Sequence, residues 1–384
     1  MTSSRSGQAF ATIIKKITGR GVTLFFAVLA AWGLLFCTAP GTVESRSAET
    51  GQIPAGEHGA RAGEPSPETS GEMREPPLFL VLQDHPQPGE PVTVIYVPRG
   101  DHIDADFRAV LTRSGGIISR GVFFECYKTP DGRPVFAALL TVPSTLNPGD
   151  ALIRAEGKLG IWESRSVTVE PRDFVSEVIP LNESNTAIRT VPDPQKTREA
   201  ERLWSIITRT GADIYTEGPF SAPVSSTRRT SFFGDRRVYA YSNGRSESSV
   251  HAGIDYGVPT GTEILACAPG KAVLAAFRIV TGNTVIIEHL PGVYSLYYHM
   301  DSILVEEGNL VGEGTLLGTS GSTGLATGPH LHWEIRVSGE NTDPDMVMLR
   351  PLLDKDLILS RINNVTRAAD SQRARNLYRK TEGR

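Results

Sequence analysis

Short runs of β-forming residues, each closed by a turn rich in Gly, Pro, Asn or Asp, constrain this chain more than any other feature of its sequence. Between residues 77 and 171 the runs are 78–82, 91–97, 107–111, 121–127, 134–142, 151–155 and 166–169. Gln87-Pro88-Gly89, Ser114-Gly115-Gly116, Pro130-Asp131-Gly132 and Asn147-Pro148-Gly149 punctuate them. Runs of this length and spacing predict an immunoglobulin-like β-sandwich over 77–171. No cluster of catalytic residue types falls inside it, so its expected role is that of a spacer or binding module. Residues 225–346 repeat the strand-and-turn pattern. With 38 glycines, 26 prolines and only 7% aromatics, the composition also favours strands over long helices, and the expected fold class is all-β.

Helical periodicity enters in two places. In the connector 172–224, Asp193 is a good N-cap and Pro194 suits the first helical position. Ala200, Leu203, Trp204 and Ile207 then recur at helical spacing, and Gly211 can end the helix; the apolar stripe should pack on a neighbouring domain. In the tail, 347–384, Ile358, Ile362, Val365 and Ala369 share one helical face. Arg361, Arg367, Arg373, Arg375, Arg379 and Lys380 make the rest basic, which reads as a solvated helix.

The N-terminal 39 residues differ from everything after them. Arg5, Lys15, Lys16 and Arg20 precede an apolar run over 22–39, and no acid appears before Glu44. Eighteen helical residues span roughly 27 Å, close to the ~30 Å hydrocarbon core of a bilayer. The positive flank should stay inside, which places the rest of the chain across the cytoplasmic membrane, in the periplasm or at the cell surface. Two readings remain open, an uncleaved anchor and a signal peptide cut after Ala39-Pro40-Gly41. Leu35-Phe36-Cys37 resembles a lipoprotein cleavage box, although Phe36 is bulky where a small residue is expected. Residues 40–76 are rich in Gly, Glu, Ser, Pro and Ala and read as a flexible linker giving reach.

A net charge of -4 gives no reason to expect nucleic acid as a partner. Of the three cysteines, Cys37 lies in the apolar run, and Cys126 and Cys267 fall in different expected domains, so no structural disulfide is expected. A cysteine-rich zinc site is excluded as well; any metal must be held by histidines and carboxylates.

Five of the eight histidines, His251, His289, His299, His330 and His332, fall within 251–332. His330-Leu331-His332 leads into an alternating run, and on a strand residues i and i+2 face the same side. His251 and Asp255 lie in a segment whose glycines argue for extended or loop structure. One imidazole and one carboxylate from this segment, with one imidazole from the His330/His332 pair, would make a three-ligand set with a fourth position open. Such an N,N,O set suits zinc, though affinity order alone does not exclude other divalent metals. Taken by itself, His299 in Tyr297-Tyr298-His299-Met300 reads as a satisfied core residue.

At these residues the chain resembles the lysostaphin and LytM type of zinc endopeptidase, the M23 peptidases. The resemblance runs over 228–346: Thr230-Ser231-Phe232-Phe233-Gly234, His251-Ala252-Gly253-Ile254-Asp255, 282–289, Leu296-Tyr297-Tyr298-His299-Met300, Gly321-Ser322-Thr323-Gly324, 328–334 and Asp343-Pro344, in that order. It implies a LytM-type antiparallel β catalytic domain over 225–346, one zinc ion per chain, metal ligands His251, Asp255 and His332, and catalytic roles for His299 and His330. His289 receives no ligand role and reads as structural.

The implied activity is hydrolysis of peptide bonds in peptidoglycan stem peptides or cross-bridges. A bound zinc would activate water and polarise the scissile carbonyl, and without a His-Glu-x-x-His glutamate the acid–base work would fall to His299 and His330. Peptidoglycan is the implied partner, with the membrane a second one if the N-terminal segment is uncleaved; no protein partner is implied. The alternative is a non-catalytic, peptidoglycan-binding or amidase-activating regulator, against which the complete ligand set stands. Occlusion of the cleft by the sandwich is an expected way of restraining a lytic enzyme.

Overall fold

The punctuated runs fold as strands because their apolar residues can be buried on a pleated surface while the turns stay in solvent. In the computed structural model of the protein, residues 77–98, 107–158 and 160–382 are described. The expected membrane segment at 22–39 and linker at 40–76 lie outside them. Among the described residues no helix is long and apolar enough to cross a membrane.

The first half comprises β1 (Leu78–Val81), β2 (Pro91–Val97), β3 (Arg108–Arg113), β4 (Gly116–Val122), β5 (Phe124–Lys128), β6 (Pro134–Thr141), β7 (Gly149–Gly157) and β8 (Gly160–Val169). They form two four-stranded antiparallel sheets, ordered β1-β2-β6-β5 and β4-β3-β7-β8. Eight strands arise rather than seven because the run 121–127 breaks at Phe123, whose ring turns inward and stacks on Phe107 at 4.4 Å. Val92, Val94 and Tyr96 of β2 meet Ala109, Leu111 and Ile153 across the sandwich core. Their neighbours Ile95 and Val97, with Val135, Ala137 and Leu139 of β6, face the other way into a second core shared with the C-terminal half. This first sheet is therefore covered on both sides, which explains the continuous burial along β2.

The connector holds more than the single helix expected. After β9 (Ser176–Pro180) come α1 (Glu183–Thr190) and α2 (Pro194–Ile207). Asp193 caps α2 through the Gln195 amide at 2.7 Å. The helix packs through Leu203, Ile206 and Ile207 onto Leu274, Ile286, Tyr294, Leu296 and Tyr298. Trp204, expected in that stripe, is 56% exposed, because the buried face is rotated by one position toward Ile206.

The second half continues with β10 (Arg229–Ser231), β11 (Arg236–Ala240), β12 (Ser246–Val250), β13 (Ile254–Tyr256), β14 (Glu263–Leu265), β15 (Gly270–Arg278), β16 (Gly282–Leu290) and β17 (Val293–Ile303). It ends with β18 (Leu310–Val311), β19 (Leu316–Ser320), β20 (Leu331–Val337), β21 (Glu340–Thr342), α3 (Pro344–Leu349) and α4 (Lys355–Glu382). The main sheet runs β10-β13-β20-β17-β16-β15-β18, and a smaller one, β12-β11-β9, joins the β11–β12 hairpin to the connector. Ile358 and Ile362 of α4 are buried, but Val365 is 40% exposed, so the tail's apolar face is used only near its start.

The sandwich meets the second half at Leu352, where Thr93 Oγ1 donates to the carbonyl at 2.8 Å, and at Ser338, whose Oγ donates to the Leu139 carbonyl at 2.8 Å. Thr141 and Thr342 hydroxyls also meet, at 2.5 Å. The sandwich also meets β11, where Arg236 Nη2 donates to the Ser144 carbonyl at 2.6 Å.

His289 lies in the core as read from sequence: its Nδ1 donates to the Pro269 carbonyl at 2.8 Å and its Nε2 accepts from Ser295 Oγ at 2.7 Å. Burial pushes its pKa down to about 4. A histidine neutral when folded but protonated when unfolded removes stability as pH falls from its unfolded value near ~6.5 toward its folded value. We expect the His289 contribution to cost about 2 kcal/mol between pH 7.5 and pH 5. Urea unfolding at both pH values should show a shallower loss for His289→Gln than for the wild type, and equal slopes would contradict this origin.

Candidate metal centre

Antiparallel pairing of β13 with β20 sets Asp255 directly opposite His332. The close approach requires Gly253, where any Cβ would collide with the Trp333 carbonyl. Just before β13 the chain delivers His251, so three side chains converge. His251 Nε2 lies 3.1 Å from Asp255 Oδ1 and 3.0 Å from His332 Nδ1, and His332 Nδ1 lies 2.7 Å from Asp255 Oδ1. All three residues are buried.

The surroundings decide which nitrogen faces inward. The Phe232 carbonyl can only accept, so His251 Nδ1, 2.7 Å away, carries a proton and Nε2 turns a lone pair to the centre. On the far side of His332, Nε2 lies 3.0 Å from Glu334 Oε1. Burial opposes the Glu334 charge, but Arg336 and His332 hold its pKa at about 2, so this carboxylate also only accepts. His332 Nδ1 is thereby aimed at Asp255. The Tyr298 ring stacks on His332 with centroids 5.3 Å apart and an interplanar angle of 7°.

Three acceptor atoms about 3 Å apart demand a cation. Burial disfavours charge on His332, yet Asp255 and Glu334 outweigh it and raise its pKa to about 9, so a proton fills the demand when nothing else does. Burial would likewise push the Asp255 carboxyl up, but the two histidines hold it well below the usual carboxylate range. The set of two imidazole nitrogens and one carboxylate oxygen fits zinc, each imidazole being backed by an acceptor on its other nitrogen as metal-binding histidines are.

His299 and His330 stand beside this triangle. His330 precedes β20, held by an isolated bridge to Gly321, with Nε2 3.8 Å from Asp255 Oδ1. His299 sits where β17 bulges, in a left-handed conformation at φ 61. That twist breaks strand alternation, so Tyr298 and His299 in succession both lie near His332. The His299 and His330 rings are 4.7 Å apart. Each donates its Nδ1 proton to a carbonyl, Thr323 and Gly328 respectively, both at 2.8 Å. Burial and then His330 push the His299 pKa down to about 3.

All five candidate site residues from the sequence thus meet in one place, and His289 does not join them. Glu334 and Arg237 were missed as site neighbours. Glu334 was detectable, being two residues beyond His332 on the same strand face. Arg237 Nη2, 2.6 Å from Asp255 Oδ2, carried no local signal.

Two imidazoles and a carboxylate thus converge on one face of an antiparallel sheet, placed so that they could hold a metal ion, with two further imidazoles beside them. Residues 249–344 match the model of peptidase family M23, and the chain carries a domain of that family. Over 140 residues it is 39% identical to the DD-carboxypeptidase/endopeptidase Mpg of Neisseria meningitidis, covering 36% of this chain and 31% of that protein. Over 128 residues it is 35% identical to the peptidoglycan DD-endopeptidase ShyC of Vibrio cholerae, covering 33% of this chain and 29% of that protein. The matched stretch therefore spans about three-tenths of the length of these curated relatives. Among solved structures, the catalytic domain of a point mutant of EnpA, a prophage-encoded M23 protein of Enterococcus faecalis, is 33% identical with a TM-score of 0.28, covering 32% of this chain and 95% of that one.

Glu334, which backs His332, is buried, and the half-buried Arg336 bonds it from Nε to Oε2 at 2.9 Å. Arg336→Met would strand that carboxylate and should cost about 3 kcal/mol or more. Urea unfolding in the presence of a chelator checks this, and an unchanged midpoint would contradict the pair's role.

Proposed function

We propose that this protein is a zinc-dependent endopeptidase that hydrolyses peptide bonds in peptidoglycan stem peptides or cross-bridges, working in the cell envelope outside the cytoplasmic membrane. One observation carries the reading: within an M23 domain, His251, Asp255 and His332 converge with ligand atoms all within 4.8 Å, and His299 and His330 flank them. Peptidoglycan as substrate rests on the named relatives, whose matched stretches end well short of their full lengths.

In this reading His251 Nε2, Asp255 Oδ1 and His332 Nδ1 hold the ion. Arg237 occupies Asp255 Oδ2, so the carboxylate offers one oxygen. Bound zinc would supply Lewis acidity and water of lowered pKa. His299 and His330 have both committed Nδ1–H to a carbonyl, so the neutral imidazole of each offers an Nε2 lone pair. Each is therefore set to accept a proton first and to donate only afterwards. That order suits taking a proton from attacking water and returning it to the leaving amine, or to the oxygen of the tetrahedral carbon. Burial makes His299 a poor place to keep a proton, which favours passing it on. The domain division proposed with this function is 1–39 signal or anchor, 40–76 linker, 77–171 sandwich, 172–224 connector, 225–346 peptidase and 347–384 tail.

Purified peptidoglycan incubated with the zinc-loaded protein should release fragments with new amino termini, read by mass spectrometry. His251→Ala, Asp255→Ala and His332→Ala should each lose the metal and the cleavage. His299→Ala and His330→Ala should keep the metal and lose about a hundredfold or more in turnover. Intact peptidoglycan after treatment with folded, zinc-loaded wild type, or full cleavage by metal-free protein, would contradict the proposal.

A further inference from the structure

The carboxylate that faces the metal position is itself held by a chain of charges that ends outside the family-matched segment. Asp255 uses Oδ1 toward the two imidazoles and Oδ2 toward Arg237 Nη2 at 2.6 Å. The same guanidinium turns its Nε to Glu177 Oε1 at 2.8 Å. Arg237 lies on β11 and Glu177 on β9, and the parallel register sets the two residues side by side. Ser231 Oγ lies 3.0 Å from Glu177 Oε1 and 3.1 Å from Asp235 Oδ2, its single proton shared between the two carboxylates. The strand entering from the connector is clamped just upstream: the Phe174 ring fills the space a Cβ would need at Gly234, and the Arg172 and Arg236 guanidinium groups lie 5.0 and 4.3 Å from its centre.

Rigid orientation of Asp255 needs more than one bond. A carboxylate bonded only through Oδ1 can rotate about its terminal torsion, which is broad and nearly twofold. A guanidinium bonded to Oδ2 removes that freedom, provided its own fork is held. The Arg237 side chain is only 11% exposed, and its two bonded nitrogens point at two different carboxylates. Glu177 therefore does for Arg237 what Arg237 does for Asp255.

We infer that Arg237 is a positioning residue for the metal centre, fixing Asp255 as a one-oxygen ligand, and that Glu177 of the connector strand β9 completes the device. The inference rests on the proposed metal role of Asp255. It makes the connector a working part of the site: residues before 225 help to set metal affinity, although they lie outside the matched 249–344.

The test is zinc titration of the full-length protein against a competing chelator, with the folding of the metal-free protein monitored by circular dichroism. Arg237→Met should raise the zinc dissociation constant about 10- to 100-fold, the usual effect of losing a partner of a metal ligand. Arg237→Lys keeps the charge without the fork and should fall between Met and wild type. Glu177→Gln, which leaves Arg237 in place, should weaken zinc less than Arg237→Met but measurably. Wild-type affinity in folded Arg237→Met overturns the positioning role, and wild-type affinity in Glu177→Gln overturns the part played by the connector. Should the wild type bind no zinc, the proposed function itself fails, and the inference with it.

Discussion

The pairing of Asp255 with His332 across two neighbouring strands is the constraint on which the rest of the site depends. A one-residue slip of β13 against β20 would put Asp255 opposite Leu331 or Trp333 and turn it to the other face. The core prevents that slip. Leu331, Trp333, Ile335 and Val337 all point into the main core, while His332, Glu334 and Arg336 alternate onto the opposite face. The same alternation on β17 presents Tyr298 to His332, and α2 covers Tyr294 and Leu296 farther along that face. Core packing on one side of the sheet thus sets the positions of the buried polar groups on the other.

Those polar groups form connected sequences of bonds rather than isolated pairs. Arg336 holds Glu334, Glu334 holds His332, and His332 faces Asp255; from the other direction Glu177 holds Arg237, and Arg237 holds Asp255. Burying so many charges is costly unless each is paired, and the pairing leaves a single unmet demand for positive charge at the centre. A proton on His332 meets it weakly. A divalent cation meets it more fully and would compete with that proton, so the metal and the acid–base state of the site are linked.

Much of this was legible in the chain because it is local. The strand-and-turn pattern gives the antiparallel sheets, and β2 begins and ends where its apolar run does. His330-Leu331-His332 could be placed on one face by period alone, and the Asp193-Pro194 start of α2 by capping chemistry. What escaped is non-local or strained. β9 is short, partly polar and pairs in parallel with a strand far downstream, so nothing within 176–180 announces it. The left-handed turn at His299 comes from a bulge that involves β16 and β19, not from its neighbours in sequence. Arg237 and Glu177 are ordinary surface residue types until the fold brings them to Asp255. The connector reaches Asp255 through Arg237, and the sandwich reaches the adjoining residue, Arg236 donating to the Ser144 carbonyl at 2.6 Å.

The central claim is that one cation is held by His251 Nε2, Asp255 Oδ1 and His332 Nδ1. Crystals of the zinc-loaded protein, with diffraction collected on both sides of the zinc absorption edge, test it most directly. The account predicts a single anomalous peak per chain within bonding distance of those three atoms, with Arg237 still on Asp255 Oδ2. A peak bound through His332 Nε2, a peak at other residues, or no peak in fully loaded crystals would contradict it.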